Sequence, residues 1–327
     1  MAYTAVRTRS LRCLLLGVLL GTAALRAAAA EAPATLHIGY QKSSINLLVA
    51  RQLGLVERRF PGTRVQWTEF PAGPQLLEAL GAGSLDFGMT GDVPPVFAQA
   101  AGGDVVYVGV EPPKPHSSAI LVAPNSPITT LAGLRGKRVA FQKGSSAHYL
   151  VLRALQRAGL QYRDITPIYL APADARAAFE RGSVDAWAIW DPYWAAAQQG
   201  TPSRVLCDGD GLSDNNTFYL SSRAFVAAHA QVIDALFGVL SDADREVQNR
   251  SADAARLIAA ATGLDPAVAQ LFLGRRPPSP VAALDAAVIA RQQTLADAYA
   301  AAGLIPHPIK VADAVWHPAP ATTLSSR

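Results

Sequence analysis

Cysteine is nearly absent. Of the two in 327 residues, Cys13 lies in the leading segment and only Cys207 remains in the body of the chain. Without that segment no internal disulfide can form, and a chain of this size can rely on its apolar core instead. Histidine is sparse and scattered, at positions 37, 116, 148, 229, 307 and 317. No close His or Cys pair has metal-ligand spacing, so neither a metal nor another cofactor is expected. The glycine-rich turns lack the Gly-Lys-Ser/Thr order of a phosphate-binding loop, which disfavours nucleotides. No Gly-x-Ser-x-Gly elbow occurs, and signals for catalysis are weak.

Acidic residues are missing from the first thirty positions, which carry Arg7, Arg9, Arg12 and Arg26. The apolar run Cys13 to Leu25 is too short to span a bilayer. It leads to Ala28-Ala29-Ala30, a small-residue cleavage site before Glu31. Residues 1–30 are therefore expected to be a cleaved export signal. Ser10-Leu11-Arg12 before Cys13 is not a lipoprotein box, so no lipid anchor is expected. No later segment reads as a membrane span. Four of the 29 basic residues fall in the signal, leaving 25 against 25 acids. A balanced chain gives no support to nucleic-acid binding.

What the chain does contain, it contains twice. Tyr40-Gln41-Lys42-Ser43-Ser44 recurs as Phe141-Gln142-Lys143-Gly144-Ser145-Ser146. Gly83-Ser84-Leu85-Asp86 recurs as Gly182-Ser183-Val184-Asp185, with Asp92 and Asp191 following at matching distances. Pro71-Ala72-Gly73-Pro74 and Pro172-Ala173-Asp174 each open a helical pattern between these marks. Three matched pairs in one order predict two lobes on one α/β plan. A cleft between two lobes is where small ligands bind.

Alternating strand and helix patterns predict a mostly parallel sheet covered by helices in each lobe. The first lobe is expected over 31–118, broken by Glu111-Pro112-Pro113-Lys114-Pro115. The second is expected over 119–220, ending near Phe218-Tyr219-Leu220. Residues 221–327 then complete the first lobe with helices, among them one opened by Asp265-Pro266, an N-cap followed by proline at the first helical position. The end beyond Pro306 reads as a surface tail.

The two Gln-Lys turns lie between a strand and a helix. There the helix presents unpaired N–H groups and the positive end of its dipole, which suits an anion. Ser145 and Ser146 are either added donors or ordinary helix caps. Gly144 is expected to let a ligand approach the backbone. Thr90 and Gly91 lie at the carboxyl end of a strand, where open α/β sheets bind ligands. Asp92 and Asp191 read first as helix caps. Trp187 and Trp194 read as core, whereas Trp190 is expected to face the cleft and pack an apolar group.

The stretches Thr90-Gly91-Asp92-Val93-Pro94-Pro95, Val110-Glu111-Pro112-Pro113-Lys114-Pro115, Phe141 to Ser146 and Val184 to Tyr193 closely resemble the aliphatic sulfonate-binding proteins of bacterial ABC importers, within the nitrate, sulfonate and taurine group. The resemblance covers nearly the whole chain after the signal. It implies a two-lobed periplasmic binding protein fold and no enzyme activity. It also implies a monomer that delivers a sulfonate to an inner-membrane permease with its ATPase subunit. Gln41, Ser43, Thr90, Gly91, Gly144, Ser145, Ser146, His148, Trp190 and Asp191 would form the site, with Phe218 a further candidate for the tail. A taurine or nitrate binder, or an enzyme of thiamine-pyrimidine synthesis, would share the fold. Of these residues only His148 normally titrates near neutrality, so binding is expected to be almost independent of pH unless His148 touches the ligand.

Overall fold

The computed structural model describes residues 32–317, so the expected signal segment lies outside the described residues. Two five-stranded sheets stand side by side. The first is built from β1 (Thr35–Tyr40), β2 (Arg64–Glu69), β3 (Phe87–Gly91), β4 (Val106–Glu111) and β10 (Thr217–Ser221), in the order β2-β1-β3-β10-β4. The second uses β5 (Ser118–Val122), β6 (Arg138–Phe141), β7 (Thr166–Tyr169), β8 (Ala186–Trp190) and β9 (Arg204–Asp208), in the order β7-β6-β8-β5-β9. Both follow one plan. Four strands run one way, and a fifth, β10 or β5, runs antiparallel to both its neighbours.

These reversed strands carry the chain across. β5 enters the second sheet straight from the first lobe, and β10 returns to the first sheet from the second. Thr217–Ser221 pairs with β3 and β4, so the expected end of the second lobe at residue 220 is too late. The crossing lies before Thr217. A buried, apolar β10 has the same composition in either sheet, and only its pairing partners decide.

The repeated sequence marks hold the plan together. Gly83 and Gly182 adopt positive φ of 72° and 68°, where glycine is unstrained. Each closes a helix, α3 (Gly73–Gly81) or α6 (Pro172–Glu180), and turns the chain into a strand. The Asp86 carboxylate then accepts from the His37 N–H of β1 at 2.7 Å. Asp185 accepts from the Arg138 N–H of β6 at 2.8 Å. The Gly-Ser-x-Asp repeat is thus a device for tying one strand to the next.

Helices cover both faces of each sheet, as the alternation predicts. In the first lobe α1 (Ile45–Gln52), α2 (Leu55–Arg59), α8 (Arg223–Asn249), α9 (Ser251–Thr262) and α10 (Pro266–Gly274) enclose one apolar core. α3, α4 (Val93–Ala100) and α11 (Ala286–Ala301) enclose the other. In the second lobe α5 (Ser146–Arg157) covers one face, and α6 with α7 (Tyr193–Gly200) covers the other. Trp187 and Trp194 are buried there as expected. Asp265 caps α10 by accepting from the Ala267 N–H at 2.7 Å.

Two expectations need correction. The stretch past Pro306 is no surface tail over its described part. Ile309, Val311, Ala314 and Val315 enter the second core of the first lobe, and the Trp316 N–H donates to the Tyr107 carbonyl at 2.9 Å. Helix α8 also has the length and apolarity of a membrane span. Its Val232, Ile233, Leu236, Val239 and Leu240 are instead spent on the first core.

Candidate functional site

A cavity opens between the lobes at the carboxyl ends of the parallel strands, the position where open α/β sheets take ligands. From the first lobe it receives Gln41 and Ser43 of the β1–α1 turn, Met89 and Gly91 of β3, and the helix starts at Gly73 and Pro94. From the second it receives Ser145 and Ser146 at the start of α5, with Trp190 and Asp191 at the end of β8. Both crossing segments line it, through Glu111, Lys114 and Ser117 and through Asn215, Asn216 and Thr217. Phe272 and Arg276 close it from α10 and the residues after it.

Seven of the ten expected residues therefore line one cavity, and Thr90, Gly144 and His148 do not. Thr90 is fully buried, its hydroxyl donates to the Gly91 carbonyl at 2.9 Å, and it is not among the residues lining the cavity. Gly144 has φ 72°. The turn needs glycine for that backbone angle rather than for a ligand's close approach. Its N–H donates to His148 Nδ1 at 3.3 Å. The neutral ring then carries its proton on Nε2, which faces the Tyr162 hydroxyl at 2.8 Å. The ring stacks on Phe141 with centroids 4.9 Å apart and meets the edge of Tyr299 at 5.1 Å. Burial, aided by Lys143, holds the His148 pKa down at about 3. His148 thus props the Gly144-Ser145-Ser146 turn from behind. Phe218 is likewise buried in the core, edge-on to Tyr107.

The serines do not cap α5. No α5 N–H donates to the Ser145 side chain, whose own proton goes to the Gln142 carbonyl at 2.7 Å. The Ser146 hydroxyl lies against Gly91 across the cleft, so close that a Cβ on Gly91 would come within 2.1 Å of it. Gln41 donates to the Met89 carbonyl at 3.1 Å, which fixes its amide at the cavity floor.

Asp92 and Asp191 occupy matching places and differ in their partners. Asp191 does cap α7, accepting from the Ala195 N–H at 3.0 Å. Its carboxylate also takes Arg275 Nη1 at 2.8 and 3.0 Å. The Arg275 guanidinium lies 3.7 Å over the Trp194 ring and reaches Gln198. Asp92 forms no cap bond to α4, and its Oδ1 is buried without a partner. Burial raises both carboxyls to about 6, opposed by Arg275 at Asp191 and by the Ser146 hydroxyl at Asp92.

A charged network beneath the cavity was not expected from the sequence. Glu111 Oε2 takes Lys114 Nζ at 3.1 Å, while Oε1 accepts from Asn46 at 3.0 Å and from the Tyr219 hydroxyl at 2.7 Å. Arg276 Nη1 pairs with Asp244 at 2.9 Å, and Nη2 donates to Asn46 at 2.8 Å. Burial alone would raise Glu111, but Lys114, Arg276 and the Tyr219 hydroxyl outweigh it and hold its pKa below the usual value. Glu111 and Lys114 flanking two prolines were visible as a motif. Nothing in the sequence around Arg276 marked it.

The cleft offers donors from both lobes, helix starts and an apolar wall. Among the described residues no group of three or more His, Cys, Asp or Glu is placed to hold a metal. Two α/β lobes joined by two exchanged strands around such a cleft define a periplasmic-type solute-binding protein. The family model described as NMT1/THI5 like matches residues 43–250. A curated relative from Escherichia coli K12, described as a candidate aliphatic sulfonates-binding protein, is 48% identical over 95% of this chain and 97% of its own. The alkanesulfonate-binding protein SsuA from Xanthomonas axonopodis pv. citri, solved bound to MOPS, is 51% identical with a TM-score of 0.85, over 88% of this chain and 99% of that one. The periplasmic aliphatic sulphonate binding protein SsuA from Escherichia coli is 49% identical with a TM-score of 0.80, over 87% and 98%. The chain belongs to the NMT1/THI5-like family, in its group of aliphatic sulfonate-binding proteins, and is a binding protein rather than an enzyme.

Proposed function

We propose that this protein is an exported periplasmic receptor that captures an aliphatic sulfonate between its lobes and delivers it to an ABC permease driven by a separate ATPase subunit. It acts as a monomer and carries no cofactor. The supporting observation is the meeting of Gln41 and Ser43 from one lobe with Ser146 and the α5 start from the other, beside Trp190 and Phe272. A sulfonate is ionised across the physiological range and offers three acceptor oxygens. Hydroxyl, amide and helix-terminal N–H donors match it, and the aromatic rings match its tail. The relative solved with MOPS held a molecule of that chemistry.

No observation favours taurine over a simple alkanesulfonate. Its ammonium would need a free carboxylate on the wall, and Asp191 is already paired with Arg275. Calorimetric titration with alkanesulfonates, taurine, nitrate and sulfate tests the reading. At about 100 times its dissociation constant an alkanesulfonate should stabilise the fold by about 2.7 kcal/mol. An unmoved melting transition with every sulfonate would reject the proposal.

A further inference from the structure

The cavity wall holds two cations among the described residues, Lys114 and Arg276, and both are already neutralised. Glu111 lies between them, 3.1 Å from Lys114 Nζ and 3.9 Å from Arg276 Nη2. Asp244 takes the other face of Arg276 at 2.9 Å. The third cation near the site, Arg275, is spent on Asp191 at 2.8 Å. These three cations are matched by Glu111, Asp191 and Asp244, and Asp92 beside Ser146 adds a fourth carboxyl that is ionised above pH 6. The site therefore attracts an anion by oriented donors, without surplus positive charge.

That balance bears on selectivity. A sulfonate carries one charge, whereas sulfate carries two on nearly the same oxygen geometry. Hydroxyl and amide donors alone separate them poorly. We propose that Glu111 is a specificity-determining residue whose charge, set against Lys114 and Arg276, admits a singly charged oxyanion and rejects a doubly charged one. The inference rests on the sulfonate reading for the identity of the favoured ligand. Glu111 is well held for this role. It is 4% exposed, and Asn46 and Tyr219 both donate to Oε1, so the carboxylate cannot turn away. Its lowered pKa agrees with a permanent charge. Glu111 lines the cavity, and for a charge separated from a bound anion by an assumed distance of about 6 Å, at an effective dielectric constant near 20, its removal changes affinity on the order of 100-fold per ligand charge. A dianion gains that factor twice, so the ratio of the two ligands moves.

The test is titration of wild type, Glu111→Gln and Glu111→Asp with ethanesulfonate and with sodium sulfate at pH 8. Thermal unfolding of each variant confirms its fold. Glu111→Gln should raise sulfate affinity relative to ethanesulfonate by at least about tenfold, while Glu111→Asp keeps the wild-type ratio. If Glu111→Gln does not fold, Lys114→Met supplies the opposite arm and should depress sulfate more than ethanesulfonate. An unchanged ratio in the variant that folds overturns the proposal, as does wild type binding both ions equally. If wild type bound no sulfonate at all, the ligand reading would fail, whereas a gain of sulfate in Glu111→Gln would still support the charge rule.

Discussion

Ser145 and Ser146 are adjacent in sequence and differ in what remains for a ligand. The single proton of Ser145 is committed to the Gln142 carbonyl. The Ser146 hydroxyl lines the cavity in the gap left by Gly91, where a ligand competes with the Asp92 carboxyl for its proton. Ser146→Ala should therefore weaken sulfonate binding by about 1.5–3 kcal/mol, the range for a hydrogen bond to a charged group. Ser145→Ala should instead cost about 1 kcal/mol of fold stability through the turn, with little direct effect on affinity. Titration and ligand-free unfolding of the two variants separate these effects. Equal losses of affinity would show that the Ser145 hydroxyl swings to the ligand. His148 contributes at the same scale by accepting the Gly144 N–H. With its pKa near 3 it stays neutral at physiological pH, so it adds no titration to binding there.

Between elements, the contact of α7 with the end of α10 joins the lobes beside the cavity. Ala195 of α7 sits in the first lobe's core, and Arg275 reaches back to Asp191 and Trp194. A buried ion pair contributes little against an apolar replacement of both partners, but breaking it from one side is strongly destabilising. Arg275→Met removes the guanidinium and leaves Asp191 buried and unpaired. The contact between the lobes should then be weakened, with faster ligand release and a larger radius of gyration in solution scattering without ligand. Arg275→Lys should restore part of the contact. Arg275 lies against the Trp194 ring, so the fluorescence of Trp194 should change when the cation leaves its face. Unchanged scattering and release in Arg275→Met would show that apolar contacts alone hold the lobes together.

At the scale of the molecule the buried carboxyls set the response to acid. Asp92 rises from an ordinary 3.8 to about 6 through burial. The folded protein therefore holds a proton on Asp92 more tightly than the unfolded chain does. Above pH 6 the buried charge costs stability on the order of 3 kcal/mol, and the cost fades as pH falls towards 4. Asp92→Asn should raise the melting temperature at pH 7.5 and bring no gain below pH 4. Equal gains at both pH values would mean that Asp92 is not charged in the folded protein at neutral pH. Glu111 acts in the opposite sense. Its pKa is lowered, so its contribution is present at neutral pH and is lost as pH falls through the acid range. The nearness of Asp92 and Asp191 to the cavity also modifies the expectation of pH-independent binding. A bound anion disfavours the ionised form of Asp92, so affinity should rise modestly below pH 6 through that group, while protonation of Asp191 loosens its pair with Arg275 and works against the gain.

Local pattern determined a large part of this protein. Periodicity, Asp265-Pro266 and the doubled Gly-Ser-x-Asp turns read directly as helix faces, a cap and two lobes. Each depends on residues within a few positions of one another. The α5 start and Trp190 were legible for the same reason, since strand ends and helix starts are local features. Tertiary structure decided what depends on distant partners. The apolar run of β10 fits either sheet, and its ladder with β3 and β4 chose the first. His148 looked like a ligand contact until Phe141, Tyr162 and Tyr299 enclosed it. Arg276 and Asn46 are 230 residues apart and meet beneath the cleft. Short-range geometry follows from backbone preference and alternation, which a sequence displays. Charge compensation follows from which side chains burial forces together, and only the packed fold specifies that.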